Sequence, residues 1–193
     1  MLFEEHVPFR TSIFSTNIEF DPAPIISKIK EIQDSTPSLE FSNRGGWQSP
    51  TYKFESLSSE LAVVNPIFDV IGNEMVKLYE VYGIDRPVNL LNFWFNVNKR
   101  YNYNVSHTHQ FSFFSGAVYF KVPKNSGNIV FERPDNSKFV LPGVQNDRNW
   151  SAYYIDPTVI NTVVFPSYLS HHVEQNLTED EDDERISMAF NFG

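Results

Sequence analysis

Cysteine is absent from this 193-residue chain. Disulfides, thiolate nucleophiles, iron–sulfur clusters and thiolate zinc sites are therefore excluded. Positive charge is scarce: 15 Lys and Arg face 24 Asp and Glu, a formal net charge of −9. Non-specific nucleic-acid binding runs on cations that displace counterions from phosphate, and no basic cluster here can do that. The charge leaves a nucleobase or modified nucleotide open as a small substrate. Long apolar runs are missing too. No window approaches the roughly 18–20 apolar residues that a membrane-spanning helix needs. The opening stretch, MLFEEHVPFR, carries acids rather than the apolar centre of a secretory signal. A soluble, cytoplasmic protein is the simplest reading, with no membrane partner.

What is present suits a β-rich core. Hydrophobic residues make up 41% of the chain and aromatics 16%, including 18 Phe, and flat rings pack well on pleated surfaces. The length fits one domain, expected as helical support over residues 20–82 and a β core over 90–193. Asp21 is a helix cap with Pro22 in the first turn, and Ile25, Ile29 and Ile32 then share a face. A second helix is expected after Ser58. Val64, Ile67, Phe68, Ile71, Met75 and Leu78 recur at helical spacing, Gly83 is its stop, and Pro66 is a possible true start. Between the helices, SNRGGWQS turns at Gly45–Gly46 and offers Trp47 as a packing anchor.

From about residue 90 the pattern becomes short strands punctuated by Pro, Gly and Asn. The extended stretches are 92–98, 115–122, 128–131, 138–141, 152–155, 162–165 and 185–192. Many short strands with regular turn signals argue for a mainly β sandwich or barrel, with both helices on the outer face of one sheet. The acidic run Glu179–Glu184 reads as a solvated hairpin loop.

Four of the five histidines fall in two pairs, His107 with His109 and His171 with His172. On a strand, positions i and i+2 share a face, so His107 and His109 can reach one metal. His171 or His172 can add a third ligand, but only one of them, because strand neighbours point to opposite faces. An isolated H-x-H is ordinary on a surface. Here the pairs sit at the ends of two apolar strands, FSFFSGAVYF and VVFPSYLSHHV, as ligands do at a barrel mouth. Arg185 opens the strand RISMAFNF. Its alternation puts Ile186, Met188, Phe190 and Phe192 on one face and Arg185, Ser187, Ala189 and Asn191 on the other. A guanidinium beside a hydroxyl suits a carboxylate; a salt bridge to one of the preceding acids is the plainer use of Arg185.

The order HTH, SG-x-x-Y, NSGNIVFERP, FPSYLSHHV and RISMAFNF resembles the 2-oxoglutarate/Fe(II)-dependent oxygenase superfamily. The SNRGGWQS loop and the W-x-N of Trp94 and Asn96 narrow the resemblance to small 2OG-Fe(II) oxygenases of bacteriophages and marine bacteria. It spans residue 42 to the C-terminus. The resemblance implies a jelly-roll, cupin-like double-stranded β-helix with Fe(II) at its open end. It implies His107 and His171 as metal ligands, with His109 where the superfamily has a carboxylate. Arg185 and Ser187 match the R-x-S pair that holds the distal carboxylate of 2-oxoglutarate. Tyr119 is implied as a further donor there, and Asn104 and Asn96 as lining of the same cavity. Glu132 and Asp135 are possible carboxylate substitutes. Trp94, Phe111, Phe113 and Phe114 can wall off water, or simply pack in the core.

The implied activity is hydroxylation of a small molecule or side chain. Two other readings compete: a non-catalytic phage accessory or virion protein on the same scaffold, and a three-histidine cupin-type metalloenzyme that does not use 2-oxoglutarate. Residues 44–49 and 136–149 are expected to frame the entrance, and the abundance of aromatics is compatible with a homodimer.

Overall fold

The computed structural model describes residues 10–58, 60–134 and 150–193. Two antiparallel sheets face each other. The larger is built, in spatial order, from β1 (Phe14–Thr16), β9 (Thr162–Pro166), β6 (Phe114–Lys121), β11 (Arg185–Phe192), β4 (Leu90–Asn98) and β3 (Trp47–Gln48). The smaller runs β2 (Asn43–Arg44), β5 (Tyr103–His107), β10 (His171–Val173), β7 (Ile129–Glu132) and β8 (Ala152–Ile155). This is the expected two-sheet, jelly-roll arrangement. The expected strand at 138–141, Asp135 and the 136–149 loop lie outside the described residues.

Two helices cover the outer face of the larger sheet. α1 (Pro22–Ser35) starts where Asp21 accepts a hydrogen bond from the Ala23 amide, with Pro in its first turn, and it buries Ile25, Ile29 and Ile32. α2 (Asn65–Tyr82) begins one residue before Pro66, which sits in its first turn, after short 3₁₀ turns at 54–58 and 62–64. It ends on Gly83 at φ 64°, a left-handed cap that glycine adopts without strain. Ile67, Phe68, Ile71 and Met75 pack with Phe93, Phe95, Met188 and Phe190 from the sheet. Val163, Phe165, Ile129 and Phe131 instead fill the space between the sheets.

The strand alternation of β11 therefore has a physical outcome. Ile186, Met188, Phe190 and Phe192 lie in the helix-covered core, whereas Arg185, Ser187 and Ala189 face the cavity between the sheets. Trp47 is buried and donates its indole N–H to the Thr36 carbonyl at 3.1 Å, a packing anchor as expected. The acidic run differs from its reading. It joins β10 to β11, which belong to different sheets, so it is a crossover and not a hairpin. Its acids meet cations distant in sequence: Arg100 with Glu181 at 3.2 Å, Lys121 with Asp183 at 2.6 Å, and Lys30 with Glu184.

No helix among the described residues is long and apolar enough to cross a membrane.

Gly116 on β6 has no room for a side chain. A Cβ there would overlap the Phe190 ring and lie 2.5 Å from the Val163 carbonyl oxygen. Gly116→Ala is expected to cost about 1–3 kcal/mol, read as a lower urea midpoint. An unchanged midpoint would contradict this packing.

Candidate metal and cofactor site

β10 places the second histidine pair. It is only three residues long, yet it is paired on both sides, with β5 and with β7. In this register His171 sits directly opposite His107 and is 4% exposed. His172 points to the other face, where its Nδ1 lies 3.5 Å from Glu132. Strand geometry thus selects His171 as the inward member. Glu132 accepts a hydrogen bond from Ser170 at 2.9 Å on that same outer face, which removes it as a substitute ligand.

His109 reaches the cluster differently from the i, i+2 expectation. β5 ends at His107, so His109 lies in the loop beyond the strand. Its backbone N–H donates to the Ser167 carbonyl at 2.9 Å, and its ring lies against Trp94 at 5.6 Å between centroids. Even so, His107, His109 and His171 each offer a ligand nitrogen, all within 4.8 Å of one another. The Nε2 atoms of His109 and His171 are 3.3 Å apart. The Nδ1–H of His107 donates to the Val105 carbonyl at 2.8 Å, and that of His171 to the Leu169 carbonyl at 3.0 Å. Each bond fixes the tautomer that leaves Nε2 with a free lone pair, the form a metal needs.

Burial reinforces that state. It lowers the pKa of His107, and it is the main cause that lowers His109 to about 4 and His171 to about 3, helped by the neighbouring imidazoles. Neutral ligands are therefore ready over the physiological range.

The cavity below the cluster is lined by Asn96, Asn104, Tyr119, Arg185 and Ser187 together with the three histidines, so all eight residues singled out in the sequence meet in one place. Sequence reasoning missed Ser42, Asn98 and Phe165, which also line it. Only Ser42 carried a signal, as the first residue of the SNRGGWQS loop. Among the described lining residues there is no carboxylate.

Arg185 is 2% exposed. One Nη1 donates to the carbonyls of Ser126 and, at 3.3 Å, of Glu174. Its Nη2 is buried with no partner, and none of the preceding acids pairs with it. The hydrogen bonds of Arg185 go to neutral carbonyls, and burial lowers its pKa while the charge of Glu174 offsets that only in part; desolvating a guanidinium costs several kcal/mol, and the free Nη2 suits an anion. Asn96 Oδ1 is likewise buried and unpartnered. Asn104 donates to Ser42 Oγ at 3.1 Å. Burial raises the Tyr119 pKa to about 12, which keeps its hydroxyl a donor; Arg185 opposes that shift. These features fit Fe(II) at the imidazoles and a dicarboxylate reaching Arg185.

An imidazole whose folded pKa lies below its unfolded value takes its proton in the unfolded chain first. Its contribution is complete above the ordinary value of 6.5 and is lost as pH falls toward about 4 and 3. The urea midpoint of the metal-free protein is expected to drop between about pH 7 and pH 5, and His171→Gln to flatten that drop. Equal slopes in the two proteins would contradict the buried neutral imidazoles.

Comparison with known proteins agrees with this geometry. The sequence model of a family described as "Putative 2OG-Fe(II) oxygenase" matches residues 92–191. No curated protein matches. Several solved structures share the fold. A Pseudomonas putida prolyl-4-hydroxylase is 13% identical, with TM-score 0.62, covering 94% of this chain and 91% of that one. HygX from Streptomyces hygroscopicus, with nickel and 2-oxoglutarate bound, is 12% identical, with TM-score 0.54 and coverage of 95% and 83%. The viral collagen prolyl hydroxylase of Paramecium Bursaria Chlorella virus-1, in complex with 2OG, is 12% identical, with TM-score 0.55 and coverage of 96% of each chain.

Proposed function

The chain belongs to the 2OG-Fe(II) oxygenase family, and from that premise we propose that His107, His109 and His171 hold the Fe(II) while Arg185 anchors the distal carboxylate of 2-oxoglutarate. The observation that carries this reading is the buried Arg185, which lines the same cavity as the three imidazoles and whose Nη2 has no partner. A cupin-type metalloenzyme without 2-oxoglutarate gives that guanidinium no task.

When bound, Fe(II) and 2-oxoglutarate supply the oxidation of a C–H bond by O₂, with release of succinate and CO₂. The chain's own work is positioning and exclusion of water. Three neutral imidazoles add no negative charge, so the dication is matched by the dianionic cofactor itself. Arg185 adds a charge-assisted, bidentate grip on the far carboxylate. Ser187 faces the cavity two positions along the same strand, and Tyr119 stands opposite Ser187 on β6. Both are assigned as hydroxyl donors to that carboxylate. Asn96 and Asn104 are assigned to the cavity wall, where the Asn96 carbonyl oxygen is free to accept from an ordered water. Trp94 shields the His109 side. The substrate is a small molecule or a side chain.

Removing one partner of a buried charge pair typically costs about 3–5 kcal/mol. Anaerobic titration of 2-oxoglutarate into the Fe(II) protein is expected to raise a visible metal-to-ligand charge-transfer band. Arg185→Ala should weaken the 2-oxoglutarate dependence of that band at least about a hundredfold and leave Fe(II) binding in place. Equal 2-oxoglutarate affinity in the variant would remove Arg185 from the role. Absence of iron binding in the unmodified protein would favour the accessory-protein reading.

A further inference from the structure

The inner face of the larger sheet continues past the metal cluster. Asn191 lies directly opposite both Asn92 and Ser115, so these three project into the space between the sheets, beyond Trp94 and Ala189. On a strand, Asn92 stands about 7 Å further along the same face than Trp94. Polar side chains on a buried sheet face need a reason. Ser115 and Ser167 are fully buried and Asn191 is 7% exposed, and all three are hydrogen bonded.

The protons in this chain run one way. Ser115 Oγ donates to Asn191 Oδ1 at 2.7 Å. Its single proton is then spent, so the 2.7 Å contact with Ser167 Oγ must be donated by Ser167. Asn191 Nδ2 donates to Asn92 Oδ1, also at 2.7 Å. Asn92 is half-buried and its oxygen is thereby satisfied, while no described residue accepts from its Nδ2. The chain is anchored at its other end beside the metal cluster, because Ser167 is the residue whose carbonyl holds the His109 amide. None of Asn92, Trp94, Ser115, Ser167 and Asn191 carries a charge.

We propose that Asn92 is a specificity-determining substrate contact, and that the substrate presents a neutral amide-type carbonyl to its Nδ2 while an adjoining apolar part lies on Trp94. The Ser167–Ser115–Asn191 chain does not touch the substrate; it holds the Asn92 amide in its donating orientation. A carboxylate is the wrong partner, since it would be desolvated beside a neutral donor. A cation is worse, since the free group is a donor. This inference rests on the cofactor site proposed above, which puts the reacting centre next to Trp94.

The test is NMR of the protein loaded with diamagnetic Zn(II) and 2-oxoglutarate, reading the Arg185 Nε–H, Trp94 Nε1–H and Asn92 Nδ2–H₂ signals. The probes are N-methylacetamide, 2-pyrrolidone and a capped tetraalanine, with acetate and methylammonium as charged comparators. The amides are expected to move the Asn92 and Trp94 signals saturably, at least fivefold further than either comparator. Half-saturation by tetraalanine at a tenfold lower concentration than by N-methylacetamide would identify a peptide carbonyl; parity would identify a small molecule.

In Asn92→Ala the amides should no longer move Trp94. Ser115→Ala, which frees Asn191 and hence Asn92, should at least halve the shift. Asn92 signals that ignore the amides, or follow acetate equally, overturn the proposal. The cofactor reading is scored separately, by whether 2-oxoglutarate alone moves Arg185 Nε–H.

Discussion

The pairing of His171 with His107 across β10 and β5 is the contact that the rest of the site depends on. β10 has three residues, and its place is dictated from both sides, by β5 and by β7. A slip of one residue would turn His171 outward and carry His172 in, because side chains alternate with period two. The register is held by apolar neighbours on the inner face. Phe131 and Phe165 pack their rings against His171 at 5.9 and 4.5 Å between centroids. On the outer face Glu132 takes the Ser170 hydroxyl and faces His172. The three-histidine cluster is thus a consequence of strand pairing, with His109 added from the loop beyond it.

The second constraint is the cavity wall opposite. β11 presents Arg185, Ser187 and Ala189 to the cavity, with Asn191 on the same strand face, because its other face is taken up by the helix-covered core. That wall changes character along its length. A cation lies at the deep end and small residues stand opposite the cluster. Beyond them come Trp94 and the hydrogen-bonded amides. Under the proposed function, a dicarboxylate is held deep, a metal in the middle and a substrate beyond, in the order in which this strand pair sets out its three environments.

Much of this was legible in the sequence where periodicity is long. β11 and the two helices have clear alternation or helical spacing, and their caps, Asp21 and Gly83, are local signals. The strands that carry the metal cluster are the ones the pattern missed. β5 reads YNVSH and β10 reads HHV; neither has enough apolar positions to show a period, since their polar residues serve the cavity or the outer face. β1, β2 and β3 are two or three residues long and exist only because a neighbour pairs with them. The loop position of His109 was equally hidden, because what fixes it is a backbone bond to Ser167 and the Trp94 ring, both remote in sequence. The acidic run misled because its partners, Lys30 on α1, Arg100 in the turn between β4 and β5 and Lys121 on β6, are remote from it in sequence. Arg185 was the reverse case: the acids beside it in sequence are not its partners, and its strand face decided its surroundings.

In the proposed site three neutral imidazoles, with no protein carboxylate, hold the metal. Iron K-edge X-ray absorption on the anaerobic Fe(II) protein measures this directly, because histidine rings give a distinct multiple-scattering signature. The account predicts three imidazole nitrogens in the unmodified protein and two in His109→Ala. A count of two in the unmodified protein, unchanged in His109→Ala, would contradict it.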